Sequence, residues 1–339
     1  MPVENPVFDG AAWGSGYSAT LAEAISRREY RVLARKIDCE LKTIDAELSL
    51  WRPDSELCRL NAWKSTEYFP LSPPLSALLR EALEISQETG GAFDPTIGPC
   101  MALWGFGPHG ECISPPDEAT IAEIRRRVGW RQISLVSNSV SKAHPQIELD
   151  LNAVADGFAA DRVSALLRSA GHTNHLVEVG GEVVAEGTGP RGIPWQIGIE
   201  SPDPRSLPGT AIWGVVRLSN QAMATSGSYR DWRWDRNGHA YAHILDPRRG
   251  RPVRSRTASV SVIAKSGVRA DGIATALFVM GPEEGLPWVE GHSDIEALFL
   301  LRQPDGTILE ISSRGFSAAT AYGKTLPAPP TAPMAPQTN

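Results

Sequence analysis

Asp271 and Thr275 stand four residues apart in SVIAKSGVRADGIATALFVMG, residues 261–281. On a helix that spacing puts both side-chain oxygens on one face, roughly 5–6 Å apart at Cβ. A carboxylate and a hydroxyl are hard oxygen ligands, the kind Mg²⁺ selects over nitrogen or sulfur. The plainer reading is a helix-capping Asp and a small packing Thr, and these residues taken by themselves leave both open. His243, in YAHILDP, is a second group with chemistry to offer, because an imidazole titrates near neutral pH. A hydrogen-bonded structural role is nevertheless the commoner outcome for a lone His among strand residues.

The elements that must hold these groups are legible in pattern. A strand over residues 259–264 and a loop lead to a helix opening at Ala270 or Asp271. Upstream, a strand at residues 17–21 precedes an amphipathic helix over 27–50, with Val32, Leu33, Ile37, Leu41, Ile44 and Leu48 at helical spacing. Residues 52–61 read as a polar stretch. LSPPLSALLREALEISQETGG then gives a second helix, with Pro at its start and Gly90-Gly91 as its stop. The Gly/Pro-rich GAFDPTIGPCMALWGFGPHG fits neither helix nor long strand, and such a segment in a compact domain is usually functional.

A helix start follows at Ser114. IELDL reads as a strand feeding a helix from about Val154 that Gly171 closes, and HLVEVGGEVVAEG reads as one strand with a Gly-Gly break. Short strands at residues 195–200, 211–218, 241–245, 295–301 and 307–311, with a helix near 283–290, complete the chain. Helices and antiparallel-looking strands without regular βαβ alternation predict an α+β fold.

Composition limits the function classes. The 339 residues suffice for a substantial core, and no run approaches the roughly 18 apolar residues of a membrane span, so a soluble protein without a membrane span is expected. A net charge of −6, read with no basic block, argues against nucleic acid as the partner. Cys39, Cys58, Cys100 and Cys112 show no CxxC spacing and read as free thiols. With no export signal in MPVENPVFDGAAWGSG, a cytoplasmic location is expected. The Pro/Ala-rich end is expected to be disordered. The Walker sequence GxxxxGK[ST] does not occur.

Four stretches, GGAFDPTIGPCMALWGFG, DLNAVADGFAADRV, ATSGSYRDW with YAHILDPRRGRPV, and ADGIATALFVMG, occur in this order. Together they resemble the ApbE-like FAD:protein FMN transferase family, along nearly the whole chain. The resemblance implies a T-fold-like mixed architecture with largely antiparallel sheets and packed helices. It also implies an N-terminal extension at 1–12, a single transferase domain over 13–322 and a tail at 323–339. The implied reaction is Mg²⁺-dependent cleavage of the FAD diphosphate, attachment of FMN to a Thr or Ser of a target flavoprotein, and release of AMP. In-line displacement at phosphorus needs charge neutralisation and a base more than a covalent nucleophile.

Carried over residue by residue, the resemblance makes Asp271, Thr275 and the Ala153 carbonyl the metal ligands, and His243 the general base. Asp150, Ala92, Phe93, Asp94 and the Leu245 backbone would contact FAD, with Trp13 and Trp51 against the rings. Asp246, Pro247, Gly250 and Pro252 would supply the turn that aims His243. Ser226, Gly227, Ser228 and Tyr229 would wall the site that receives the target. Asp156 stands beside the nucleotide where relatives commonly carry Lys, so it would repel phosphate or engage metal or ribose hydroxyls. Two further functions share these residues: an FAD-binding accessory protein without transfer, and an FAD pyrophosphatase giving FMN and AMP.

Overall fold

The computed structural model describes residues 2–108, 115–203, 205–207, 209–228, 232–234 and 240–316. The helices are α1 (Arg27–Leu48), α2 (Glu56–Ala62), α3 (Pro73–Glu88), α4 (Gly98–Leu103), α5 (Glu118–Arg125), α6 (Asn152–Ser169) and α7 (Gly267–Glu290). The strands up to the middle of the chain are β1 (Val7–Ala12), β2 (Ser15–Leu21), β3 (Phe69–Pro70), β4 (Ile133–Val136), β5 (Ser139–Lys142), β6 (His175–Val179), β7 (Glu182–Glu186), β8 (Trp195–Glu200) and β9 (Ile212–Leu218). They continue as β10 (Gln221–Gly227), β11 (Trp232–Trp234), β12 (Ala240–Ala242), β13 (Leu245–Asp246), β14 (Arg251–Pro252), β15 (Thr257–Ala264), β16 (Glu296–Arg302) and β17 (Ile308–Ser312). The class is α+β, as the pattern predicted.

One eight-stranded sheet, in the order β1-β2-β6-β7-β10-β15-β16-β17, is antiparallel throughout. Every residue of β15 is buried, which its continuous TASVSVIA run requires of a strand covered on both faces. Val260, Val262 and Ala264 face the main core shared with α6 and α7. Ile263 faces a second cluster with Trp195, Ile197 and Val216 of the β8–β9 hairpin. On the helical side α1 buries Leu33, Ile37, Leu41, Ile44 and Leu48 along one stripe, each contributing about 1.5–3 kcal/mol by area removed from water.

Several expectations change. Residues 7–12, placed in an N-terminal extension, form edge strand β1 paired with β2. The polar stretch 52–61 contains α2, whose N-cap Ser55 accepts from the Cys58 N–H at 3.0 Å. The GAFDPTIGPCMALW segment contains the short helix α4. IELDL is not a strand: the Asn61 side-chain amide takes both backbone groups of Leu149, and the Asp150 N–H goes to the Pro95 carbonyl at 2.8 Å. HLVEVGGEVVAEG is a hairpin, β6–β7, whose Gly180-Gly181 turn has φ of 64° and 109°, the left-handed values a two-residue hairpin turn demands. The helix near 283–290 continues α7 past a break at Gly281, φ 72°.

Ser114, Cys112, Tyr229 and the 323–339 tail lie outside the described residues; α5 is capped by Asp117, which accepts from the Thr120 N–H at 2.7 Å. Cys39, Cys58 and Cys100 are free thiols. Among the described residues no helix is long and apolar enough to cross a membrane.

Candidate active site

Helix α7 opens at Gly267 rather than at Ala270 or Asp271, with Ser266 as N-cap. Asp271 lies in the second turn and caps nothing. The first backbone donors of α7 are bound by a side chain of α6: Asp161 accepts from the Gly267 N–H at 2.8 Å and the Val268 N–H at 3.0 Å. Burial pushes the Asp161 carboxyl up to about 6, against the lowering effect of those two donors. The helices touch where Gly157 meets Gly267, and a Cβ on either would overlap the other's carbonyl oxygen. Glycine on both sides is what lets α6 and α7 come this close.

At that crossing the Gly157 N–H donates to Asp271 Oδ2 at 3.2 Å. Gly157 is the helical i+4 partner of Ala153, so the donor that would close on the Ala153 carbonyl also leans towards Asp271. Burial, then the neighbouring Asp156, hold the Asp271 carboxyl well above the usual carboxylate range. Glu182, 9% exposed, is raised by burial and by Asp271 and Asp156. Carboxyls gathered in a dry place repel one another, and a cation among them would offset that repulsion. One turn along α7, Thr275 Oγ1 is 3.0 Å from Ser226 Oγ, and Ser226 and Gly227 form the end of strand β10.

Among the described residues no three His, Cys, Asp or Glu side chains converge on one metal position. A cation at this crossing would therefore take hydroxyl and carbonyl oxygens beside Asp271. That donor chemistry fits Mg²⁺ and disfavours softer metals.

Asp156, on the same helix as Ala153, is bound to the β1–β2 turn. The Trp13 indole Nε1 donates to Asp156 Oδ1 at 2.7 Å. Burial raises the Asp156 carboxyl, and bonds from Trp13 and Ser15 counter it. Trp13 and Gly14 hold φ of 36° and 90°, a mirror-image turn that aims the indole at α6.

The remaining expected cofactor residues divide. Ala92 and Phe93 are core, 0% and 3% exposed, so both are packed into the fold rather than presented at its surface. Asp94 uses its carboxylate within the fold, accepting from Thr96 Oγ1 at 2.6 Å and the Thr96 N–H at 2.9 Å in its own loop and from the distant Trp130 N–H at 2.8 Å. Asp150 accepts from the Asn152 N–H at 2.9 Å at the start of α6, and its own N–H ties the Pro95 loop to that helix. Trp51 is 63% exposed, so nothing in the fold aims it at α6.

His243 follows β12. Its ring meets Phe106 edge-on at 6.4 Å, and Phe106 meets Tyr241 at 5.8 Å. Asp246 to Gly250 is the expected turn: the Asp246 carbonyl accepts from the Gly250 N–H at 2.7 Å, Gly250 has φ 66°, and Trp104 Nε1 donates to its carbonyl at 2.9 Å. The Leu245 side chain is buried with Cys100, Trp104 and Ile121. A cleft of about 890 Å³ adjoins this turn, lined by Arg248, Arg249, Arg251, Arg254 and Arg256. The expectation of no basic block overlooked this run, because the net charge averages it away.

Sequence reasoning also missed Gly157, Asp161, Gly267 and Glu182. A Gly inside an alternating Ala-rich helix pattern was the one available signal, since an interior Gly costs helix stability and implies a close neighbour.

Residues 13–299 match the sequence model described as the ApbE family. The chain is 34% identical over 305 residues to the FAD:protein FMN transferase of Vibrio cholerae serotype O1, covering 90% of each. It is 36% identical to the enzyme of that name from Haemophilus influenzae, over 84% of this chain and 82% of that one. A crystal structure of Pseudomonas stutzeri flavinyl transferase ApbE in its apo form superposes with a TM-score of 0.82 at 35% identity, covering 94% and 97%. Fold and relatives together define an enzyme of the flavin transferase class. The chain belongs to the ApbE family.

Proposed function

We propose that this chain transfers FMN from FAD to a Thr or Ser hydroxyl of a target flavoprotein and releases AMP, with Mg²⁺ required. The observation that carries the reading is Asp271, buried in the crossing of α6 and α7 among like charges, with the Thr275 hydroxyl one turn away on the same helix. Asp271, Thr275 and the Ala153 carbonyl would hold Mg²⁺, which would neutralise charge on the FAD diphosphate.

The protein's own groups do the rest. Asp161 and the Gly157–Gly267 contact fix Asp271 relative to Ala153. Asp150 and the 92–98 loop position the nucleotide, and Asp156 orients Trp13 as a wall for the rings. His243 accepts the proton of the target hydroxyl as its oxygen bonds to the FMN phosphorus, and the diphosphate bond breaks to leave AMP. Asp156, bonded to Trp13, acts through that indole rather than replacing the phosphate contact of a Lys.

The test is incubation with FAD, Mg²⁺ and a flavoprotein domain bearing an acceptor Thr. An FMN mass increment on the domain with matching AMP is expected, and EDTA stops both. AMP in the absence of acceptor would indicate hydrolysis, and FAD binding without AMP an accessory role.

A further inference from the structure

We infer that the arginine-lined cleft beside His243 receives an acidic segment of the target protein, next to its acceptor hydroxyl. This rests on the FMN-transfer reading and adds the chemistry by which the target is held. In a chain of net charge −6, the sequence RRGRPVRSR gathers five arginines with no acid among them, and all five line the same cleft.

Part of that charge is spent within the fold. Arg248 meets Asp246 at 3.1 Å and Glu284 at 2.8 Å, Arg249 lies 3.6 Å from Asp246, and Arg251 pairs with Glu118. Arg254 and Arg256 are exposed. Arg256 reaches only Gln303 Oε1, at 3.4 Å, and Arg254 makes no ion pair among the described residues. Asp246, Glu283 and Glu284 are the carboxylates lining the cleft, so its lining is net positive.

The backbone beneath is pinned. Val253 donates to the Ile244 carbonyl at 2.9 Å, Trp104 to Gly250 at 2.9 Å, and Arg302 to the Arg256 carbonyl at 2.8 Å. A charged surface already ordered loses less entropy on binding. The cleft runs towards the base: Tyr241 lines it, and the Phe106 ring stands edge-on to both Tyr241, at 5.8 Å, and His243, at 6.4 Å. A chain lying against Arg254 and Arg256 can thus continue towards the imidazole. Two uncommitted guanidinium groups suit a few carboxylates, whereas duplex nucleic acid requires many phosphates to be neutralised.

The test uses FAD-free protein and a fluorescein-labelled peptide with a central Thr flanked by Asp and Glu, its Asn/Gln counterpart, and a short DNA duplex, compared by anisotropy. The acidic peptide is expected to bind about tenfold or more tightly than the counterpart or the duplex, and more weakly as salt rises. Arg254→Glu with Arg256→Glu should cost about tenfold or more in peptide affinity, Arg254→Lys with Arg256→Lys should retain most of it, and FAD affinity should stay within about twofold throughout. Equal binding of the two peptides, tighter binding of DNA, or a matching loss of FAD affinity overturns the inference. Peptide binding is read without FAD or turnover, so its failure leaves FMN transfer standing, and a failure of transfer leaves the peptide result intact.

Discussion

At the α6–α7 crossing Gly157 rests on Gly267 and Asp271 is 7% exposed, whereas in the β13–β14 turn and just beyond it Arg249, Arg254 and Arg256 stand in solvent. The first region is assembled from two long helices whose backbones meet at Gly157 and Gly267. The second is a hairpin held from beneath by Trp104 and by main-chain bonds. The diphosphate chemistry proposed for the crossing would be the same for every acceptor and would reward ligands fixed to a fraction of an ångström. Recognition of a protein partner differs from one chain to another and belongs on surface turns set on a rigid scaffold.

The contrast breaks most sharply at Asp271. Asp271→Ala should lower AMP formation by about 10³-fold or more at saturating FAD, and a change under tenfold would remove the metal from this crossing. Gly157→Ala should come next. Its Cβ cannot be accommodated against Gly267, so thermal unfolding should shift by about 3 kcal/mol of destabilisation, with turnover lost alongside. Full stability in that variant would mean that the helices can separate without consequence. On the open side, His243→Ala should slow transfer about 10²- to 10³-fold while FAD affinity stays unchanged; loss of FAD binding would make His243 structural.

A pH dependence separates the two regions further. The Asp271 carboxyl is held above its ordinary value by burial and by Asp156, so protons would compete with a Mg²⁺ bound there below that raised value. The apparent Mg²⁺ affinity should therefore weaken by up to about tenfold per pH unit as pH falls, in titrations followed by heat. Affinity independent of pH from about 8 to 5 would place the metal elsewhere. The smallest effect is expected for Trp13→Phe, which keeps a ring but loses the bond to Asp156, costing about 1 kcal/mol in FAD affinity.

The Asp271–Thr275 pair was legible because helix periodicity alone puts them on one face. The start of that helix was not, since Ser266 is followed by Gly267 and the first turn carries no acid. The region around Leu149 misled for another reason: its alternating apolar residues favour a strand, but Asn61, distant in sequence, takes the ladder bonds. Asp94 and Asp150 were singled out as cofactor contacts, yet in the fold the Asp94 carboxylate accepts from Thr96 and the Trp130 N–H and that of Asp150 from the Asn152 N–H. Glu182 was invisible as a neighbour of Asp271 because only folding brings the β6–β7 turn to α7. Contacts made across the chain are the common element in what the sequence hid.

Mn²⁺, which takes the same oxygen ligands as Mg²⁺, offers the most direct measurement of the site. Electron paramagnetic resonance of the protein with FAD should show one bound Mn²⁺ per chain, displaced by excess Mg²⁺ and absent in Asp271→Asn. One Mn²⁺ retained at full affinity in Asp271→Asn would contradict a metal held at the crossing of α6 and α7.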